Sequence, residues 1–256
     1  MNLATVFPFR QPSAQGAPRL RLVCFPFAGG TAALYRRWRD ALPATVEVCA
    51  VELPGRGLRI DEPPISDIAR LCDEAVAAVD ELPGNVPIAL FGHSMGARIA
   101  FEMARRLDGR VAHLFASAAP GPGLRRQRPG NVHPRPVSEL TDDEFKQRLR
   151  SLGGTPPQVL ANDDLMARFL PVLRADFLVI EHYRVDPALR ISSPITVFTG
   201  AADHGITASD AVVHAWRDRT TARARIHQVD AGHFFLDTHR ADLHREMLVD
   251  LAPWLA

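Results

Sequence analysis

The chain has 256 residues, 46% of them hydrophobic, with 30 basic against 29 acidic side chains and a formal net charge of +1. That length supports one large α/β domain with a substantial core, and the near-neutral charge excludes a global field that would draw nucleic acid or an anionic membrane. No apolar run approaches the roughly 20 residues of a membrane span, no basic-then-apolar leader opens the chain, and Cys24, Cys49 and Cys72 lack metal-ligand spacing.

Residues 1–18 are proline-rich and weakly patterned, which predicts a loose lead-in. Residues 19–25 and 46–53 read as strands, rich in valine, leucine or cysteine and bounded by proline and glycine. Between them, residues 32–42 fit a helix. Ser66 opens a helix to about Leu82, with Ile68, Leu71, Cys72, Ala75, Val76 and Val79 on one face. The apolar run Ile88-Ala89-Leu90-Phe91 leads into Gly92-His93-Ser94-Met95-Gly96, and an amphipathic stretch over 97–107 follows. Residues 111–117 form the next strand. Strands alternating with helices predict an α/β class fold with a mostly parallel central sheet covered on both faces.

The alternation stops at Pro120. Residues 120–136 hold five prolines, three glycines and four arginines. Helical patterns follow over 141–152, opened by the capping box Thr141-Asp142-Asp143-Glu144, and over 163–183. With no strand pattern across 120–192, this stretch reads as a helical lid inserted in a single domain spanning 1–256. The alternation resumes with a strand at 194–200, a helix at 208–217, a strand at 224–229 and a helix at 239–251.

Strand, G-x-S-x-G, helix is the context of a nucleophile elbow, whose serine sits on a tight, strained turn at the head of a helix. Such a serine needs a base, and the base an orienter, in the chain order Ser, Asp or Glu, His. Asp203 follows the strand at 194–200 and is the candidate orienter, with Asp210 and Asp230 as rivals. His233 follows the last strand and is the candidate base; His227 falls inside that strand, His239 and His244 fall on the last helix, and His204 adjoins Asp203. An oxyanion needs two donors: the backbone N–H of Met95, and one from Phe27 or Ala28 in the glycine-rich loop Phe25-Pro26-Phe27-Ala28-Gly29-Gly30-Thr31. The sequence leaves Phe27 and Ala28 both open.

Five segments together resemble the type II thioesterases of non-ribosomal peptide and polyketide synthesis, members of the α/β-hydrolase superfamily. They are Phe25-Pro26-Phe27-Ala28-Gly29-Gly30, Leu53-Pro54-Gly55-Arg56-Gly57-Leu58-Arg59, Gly92-His93-Ser94-Met95-Gly96, Leu152-Gly153-Gly154-Thr155-Pro156 and Gly232-His233-Phe234-Phe235-Leu236. Phe27 stands where the family often has histidine or tyrosine. The resemblance implies an α/β-hydrolase fold and a discrete enzyme that clears acyl groups held as phosphopantetheine thioesters on an acyl or peptidyl carrier protein. It implies no cofactor or metal of the enzyme's own and a lid over an acyl chamber. Phe145, Phe169 and Phe177, with Leu149, Leu173 and Leu178, are candidates to line that chamber. Arg125, Arg126, Arg128 and Arg135 are candidates to meet an acidic carrier, as, less directly, are Arg36, Arg37 and Arg39. A monomeric, cytoplasmic protein is expected. The alternatives are a carboxylesterase or lipase with the same triad, an acyltransferase or cyclase, and an idle hydrolase fold serving as a binding module, which the complete triad disfavours.

Overall fold

The computed structural model describes residues 2–10, 16–124, 135–203 and 210–256. Among the described residues six strands form one sheet: β1 (Leu20–Phe25), β2 (Val46–Ala50), β3 (Ile88–His93), β4 (Val111–Ser117), β5 (Ile195–Gly200) and β6 (Ala224–Val229). Their order is β2-β1-β3-β4-β5-β6, and every neighbouring pair is parallel. The helices are α1 (Leu3–Val6), α2 (Trp38–Ala41), α3 (Ile68–Asp80), α4 (Met95–Arg106), α5 (Asp142–Leu152), α6 (Pro157–Leu160), α7 (Asp163–His182), α8 (Asp210–Arg217) and α9 (Arg240–Leu255).

The period of two along each strand divides the core. Val23 and Phe25 pack on one face with α3 and α4, whereas Leu22 and Cys24 pack on the other with Trp38 and the α9 residues Leu243, Met247 and Leu251. Both faces are covered, which is why the central strands read as continuous apolar runs. Each fully buried side chain of the leucine or phenylalanine class contributes about 1.5–3 kcal/mol. A third, smaller cluster of Val137, Phe145, Leu149, Leu160, Met166, Leu170 and Leu173 lies within the helical segments between β4 and β5.

Two local expectations are corrected. Residues 32–42 do not form one helix. A 3₁₀ turn at Ala32–Tyr35 precedes the single turn of α2, and Ala32, Tyr35 and Trp38 are all buried at a spacing of three, the period of the tighter helix. The lead-in is not wholly loose: α1 is capped by Asn2, Val6 and Phe7 are buried, and the Val6 carbonyl accepts the Glu52 N–H at 2.8 Å.

The topology places the site. From β1 the chain moves outward to β2, then returns to β3 on the other side of β1. The loops after β1 and β3 therefore diverge and open a crevice at the carboxyl ends of the strands, where open α/β sheets bind ligands. Those loops carry the glycine-rich segment and Ser94.

Candidate active site

Ser94 follows β3 and caps α4 with φ 57° and ψ −110°, a left-handed conformation that costs a non-glycine residue about 1–3 kcal/mol. Its N–H donates to the Ser117 carbonyl at 2.7 Å, which ties the turn to the end of β4. The flanking glycines permit the close approach. A Cβ on Gly92 would sit 2.0 Å from the Gly96 carbonyl oxygen, and one on Gly96 would sit 2.2 Å from the Phe25 carbonyl oxygen. Met95 opens α4, so its N–H is among the helix's unpaired first-turn donors.

The loops after β5 and β6 are stitched together by two backbone bonds, Ala201 N–H to Val229 O at 2.8 Å and Ala202 N–H to Ala231 O at 2.9 Å. That stitching brings together two side chains 30 positions apart. The Asp203 carboxylate accepts the His233 Nδ1–H at 2.6 Å. This tautomer leaves Nε2 to accept the Ser94 hydroxyl, 3.1 Å away. Asp203 is 2% exposed, so its charge acts in a poorly solvated setting. The rival Asp230 is exposed; the side chain of Asp210, and all of His204, lie outside the described residues. His227 is in β6, His239 precedes α9, and His244 is buried against Trp38, its ring centre 4.7 Å from the indole.

His93 has a place here that the sequence reading missed, although it is the second residue of the elbow motif. It is fully buried. Its Nε2–H donates to the backbone carbonyl of His233 at 2.9 Å, and its Nδ1 accepts the Ser117 hydroxyl at 2.9 Å. Burial, helped by the nearby His233 ring, pushes its pKa down to about 3, so it stays neutral and keeps this tautomer.

A cavity of about 170 Å³ opens over Ser94 and His233. Phe27, Ala28 and Ala118 border it from the sheet side, and Leu149, Leu173 and Phe177 from the helical insertion. The Arg148–Glu181 ion pair, at 3.3 Å, and Arg98 add charge to a mostly apolar wall. Phe27 and Ala28 sit in a turn closed by Gly30 N–H to Phe27 O at 2.8 Å, with Gly29 at φ 78°, the signature of a type II turn.

Of the aromatic residues expected on this wall, Phe177 is there and two are not. Phe145 is buried in the core of the insertion and meets Phe177 edge-on, ring centres 5.3 Å apart. It supports the wall from behind. Phe169 is exposed, because the buried stripe of α7 runs through Met166, Leu170 and Leu173, and Phe169 lies one position off it. Leu178 is half-buried and off the wall, whereas Leu149 and Leu173 are on it. Arg125, Arg126 and Arg128 lie outside the described residues; Arg135 is exposed and pairs with Glu144. Arg39 pairs with Asp40 at 2.7 Å, and Arg36 lies over the Phe9 ring. Among the described residues no group of three or more His, Cys, Asp or Glu is arranged to hold a metal ion, and no helix is long and apolar enough to cross a membrane.

The thioesterase-domain family model matches residues 20–248. The gramicidin S biosynthesis protein GrsT of Aneurinibacillus migulanus is 36% identical over 252 residues, 97% of this chain and 95% of its own. Among solved structures, RedJ, a thioesterase from the prodiginine biosynthetic pathway in Streptomyces coelicolor, has a TM-score of 0.80 at 36% identity, covering 94% of this chain and 88% of its own. YbtT, a type II thioesterase from the yersiniabactin NRPS/PKS biosynthetic pathway, has a TM-score of 0.82 at 28% identity, covering 96% of this chain and 98% of its own. One structure of YbtT is of a serine-to-alanine mutant.

Proposed function

Because the chain belongs to the thioesterase family, we propose that it is a discrete type II thioesterase releasing acyl groups from phosphopantetheine thioesters on carrier proteins. The observation that carries this reading is the relay Asp203–His233–Ser94, at 2.6 and 3.1 Å, beneath an apolar cavity. The peptide and polyketide pathways named for its relatives support the substrate class.

Ser94 Oγ attacks the thioester carbonyl carbon as His233 Nε2 takes its proton. Asp203 holds the imidazole in the right tautomer and stabilises the imidazolium. The carbonyl oxygen becomes an oxyanion, held by the Met95 N–H and an N–H of the Phe27–Ala28 turn. The C–S bond breaks, and the pantetheine thiol leaves with the proton from His233. Water then attacks the acyl-Ser94 ester, giving its proton to His233, and Ser94 recovers its proton as the free acid departs. The phosphopantetheine belongs to the substrate, and the protein needs no cofactor of its own. The helical insertion forms the lid, and Leu149, Leu173 and Phe177 take the acyl chain.

The deciding experiment is Ser94→Ala, assayed on an acyl-carrier protein and on a small acyl-cysteamine thioester. The relay requires kcat to fall on the order of 10⁴–10⁶ with no acyl-enzyme detectable by mass spectrometry. A variant that keeps a tenth of wild-type turnover removes Ser94 from the mechanism. Free acid as the sole product separates hydrolysis from acyl transfer or cyclisation, and preference for the carrier-bound thioester over simple esters separates it from a plain esterase.

A further inference from the structure

A buried ion pair outside the relay joins three separate parts of the chain. Arg56, on the loop after β2, donates from both terminal nitrogens to Asp176 on α7, at 2.7 and 2.8 Å. The side chains are 4% and 0% exposed. Asp176 Oδ2 also accepts the Gly29 N–H at 2.7 Å, and Arg56 donates to the Gly30 carbonyl at 3.3 Å. Across the turn, buried Glu52 accepts the Ala32 N–H at 3.2 Å. One turn of α7 earlier, Leu173 touches the same place: a Cβ on Gly29 would lie 2.6 Å from its methyl.

An ion pair taken wholly out of water adds little stability over a well-packed apolar pair, because desolvation offsets the attraction. Its distinctive effect here is geometric. It fixes the backbone of Gly29 and Gly30, the second half of the turn whose first half, Phe27 and Ala28, faces the cavity beside Ser94. Oxyanion donors work only when already aimed at the developing charge. We propose that Asp176 is a positioning residue for oxyanion stabilisation. Its carboxylate, charge-balanced by Arg56, holds the Gly29 N–H and thereby aims the Phe27–Ala28 donor, so docking of α7 and completion of the oxyanion hole are one event. This rests on the Ser94 reading above.

The test compares two double variants on a small neutral thioester that needs no carrier. R56M/D176L removes the charges and the acceptor for Gly29 while keeping apolar bulk. R56Q/D176N removes the charges but keeps an amide oxygen for Gly29. Aiming of the donor requires R56M/D176L to lose about 10–100-fold in kcat with KM nearly unchanged, a fraction of the cost of deleting a donor outright. R56Q/D176N then recovers at least about tenfold of that loss. Wild-type kcat in R56M/D176L, or equal kcat in the two pairs, overturns the proposal and leaves a purely structural ion pair. Where the leucine does not pack, R56M/D176A serves the same comparison. Ser94→Ala in the same assay separates the two readings: an active Ser94→Ala sinks the mechanism itself, whereas an inactive one beside a fully active R56M/D176L sinks this inference alone.

Discussion

At the residue scale, the imidazole of His233 is held at both ends. Asp203 fixes its ring through Nδ1, and His93 fixes its backbone carbonyl through a buried N–H. Asp203→Asn favours the wrong tautomer, and a loss in kcat of about 10⁴ is expected without loss of fold. Asp230→Asn, at an exposed position, is expected to leave kcat unchanged; the reverse pattern in steady-state assays would reassign the carboxylate. His93→Phe keeps the ring packing against Phe27 and Phe235 but deletes both ring hydrogen bonds, to the His233 carbonyl and from the Ser117 hydroxyl; the lost His233 tether, worth about 1–1.5 kcal/mol, predicts a roughly 5–10-fold lower kcat at constant KM. A kcat within twofold of wild type would show that the carbonyl of His233 needs no such tether.

At the element scale, α4 lies against the end of β1 so closely that only glycine fits at position 96. The clash in Gly96→Ala is with backbone, which no rotamer relieves, so a destabilisation of at least about 2–3 kcal/mol is expected, read from the urea midpoint. An unchanged midpoint would mean that helix and strand can separate freely. The insertion behaves differently because it has its own cluster around Phe145. Both bonds of its capping box are formed, Glu144 N–H to Thr141 Oγ1 at 3.3 Å and Thr141 N–H to Glu144 at 2.9 Å. Thr141→Ala should lower the opening free energy of α5 by about 1 kcal/mol. Faster amide exchange over 142–152, with β1 and β3 as protected as before, is the expected pattern; uniform acceleration would mean that insertion and sheet unfold as one unit.

At the scale of the whole molecule, three buried histidines link stability to pH. Burial above all pushes His93 down to about 3, and His113 and His244 to about 4, against an ordinary value of 6.5. Asp250 favours charging of His113, while Arg225 opposes it; Arg240 opposes charging of His244. Between about pH 4 and 6.5 the unfolded chain binds more protons at these sites than the native one, so stability rises with pH through that window. Their contribution is fully present above 6.5 and is lost as pH falls, each site adding up to about 1.4 kcal/mol per pH unit. Urea midpoints should therefore drop from pH 7.5 to pH 5, and His244→Phe should flatten the slope. The same slope in that variant would remove His244 from the linkage. Carrier recognition belongs to this scale too. With a net charge of +1, attraction to an acidic carrier must be local. Under the proposed function, kcat/KM for the carrier substrate should fall with ionic strength while that for a small neutral thioester stays constant. Equal salt responses would favour the esterase reading.

The sequence by itself determined the features whose cause is local. Short apolar runs bounded by proline and glycine marked the strands and a capping box marked α5. Glycines at two-residue remove from Ser94 marked the elbow, because a strained turn at a helix head tolerates little else. Chain order then selected Asp203 and His233, since loops after successive parallel strands emerge at one edge of a sheet. What only the tertiary structure decided are contacts between residues far apart in the chain whose types suit many partners. His93 reads as a filler in G-x-S-x-G until its ring nitrogens meet Ser117 and His233. Arg56, which the sequence offered only as part of the segment 53–59, and Asp176, 120 positions away, gave no sign of each other until burial pairs them over Gly29. Phe145, Phe169 and Phe177 are alike in composition, and only the rotation of α5 and α7 against the sheet sends one to the cavity wall, one behind it and one to solvent. Side-chain direction on a packed helix is set by what it packs against, and that information resides in the fold rather than in the local pattern.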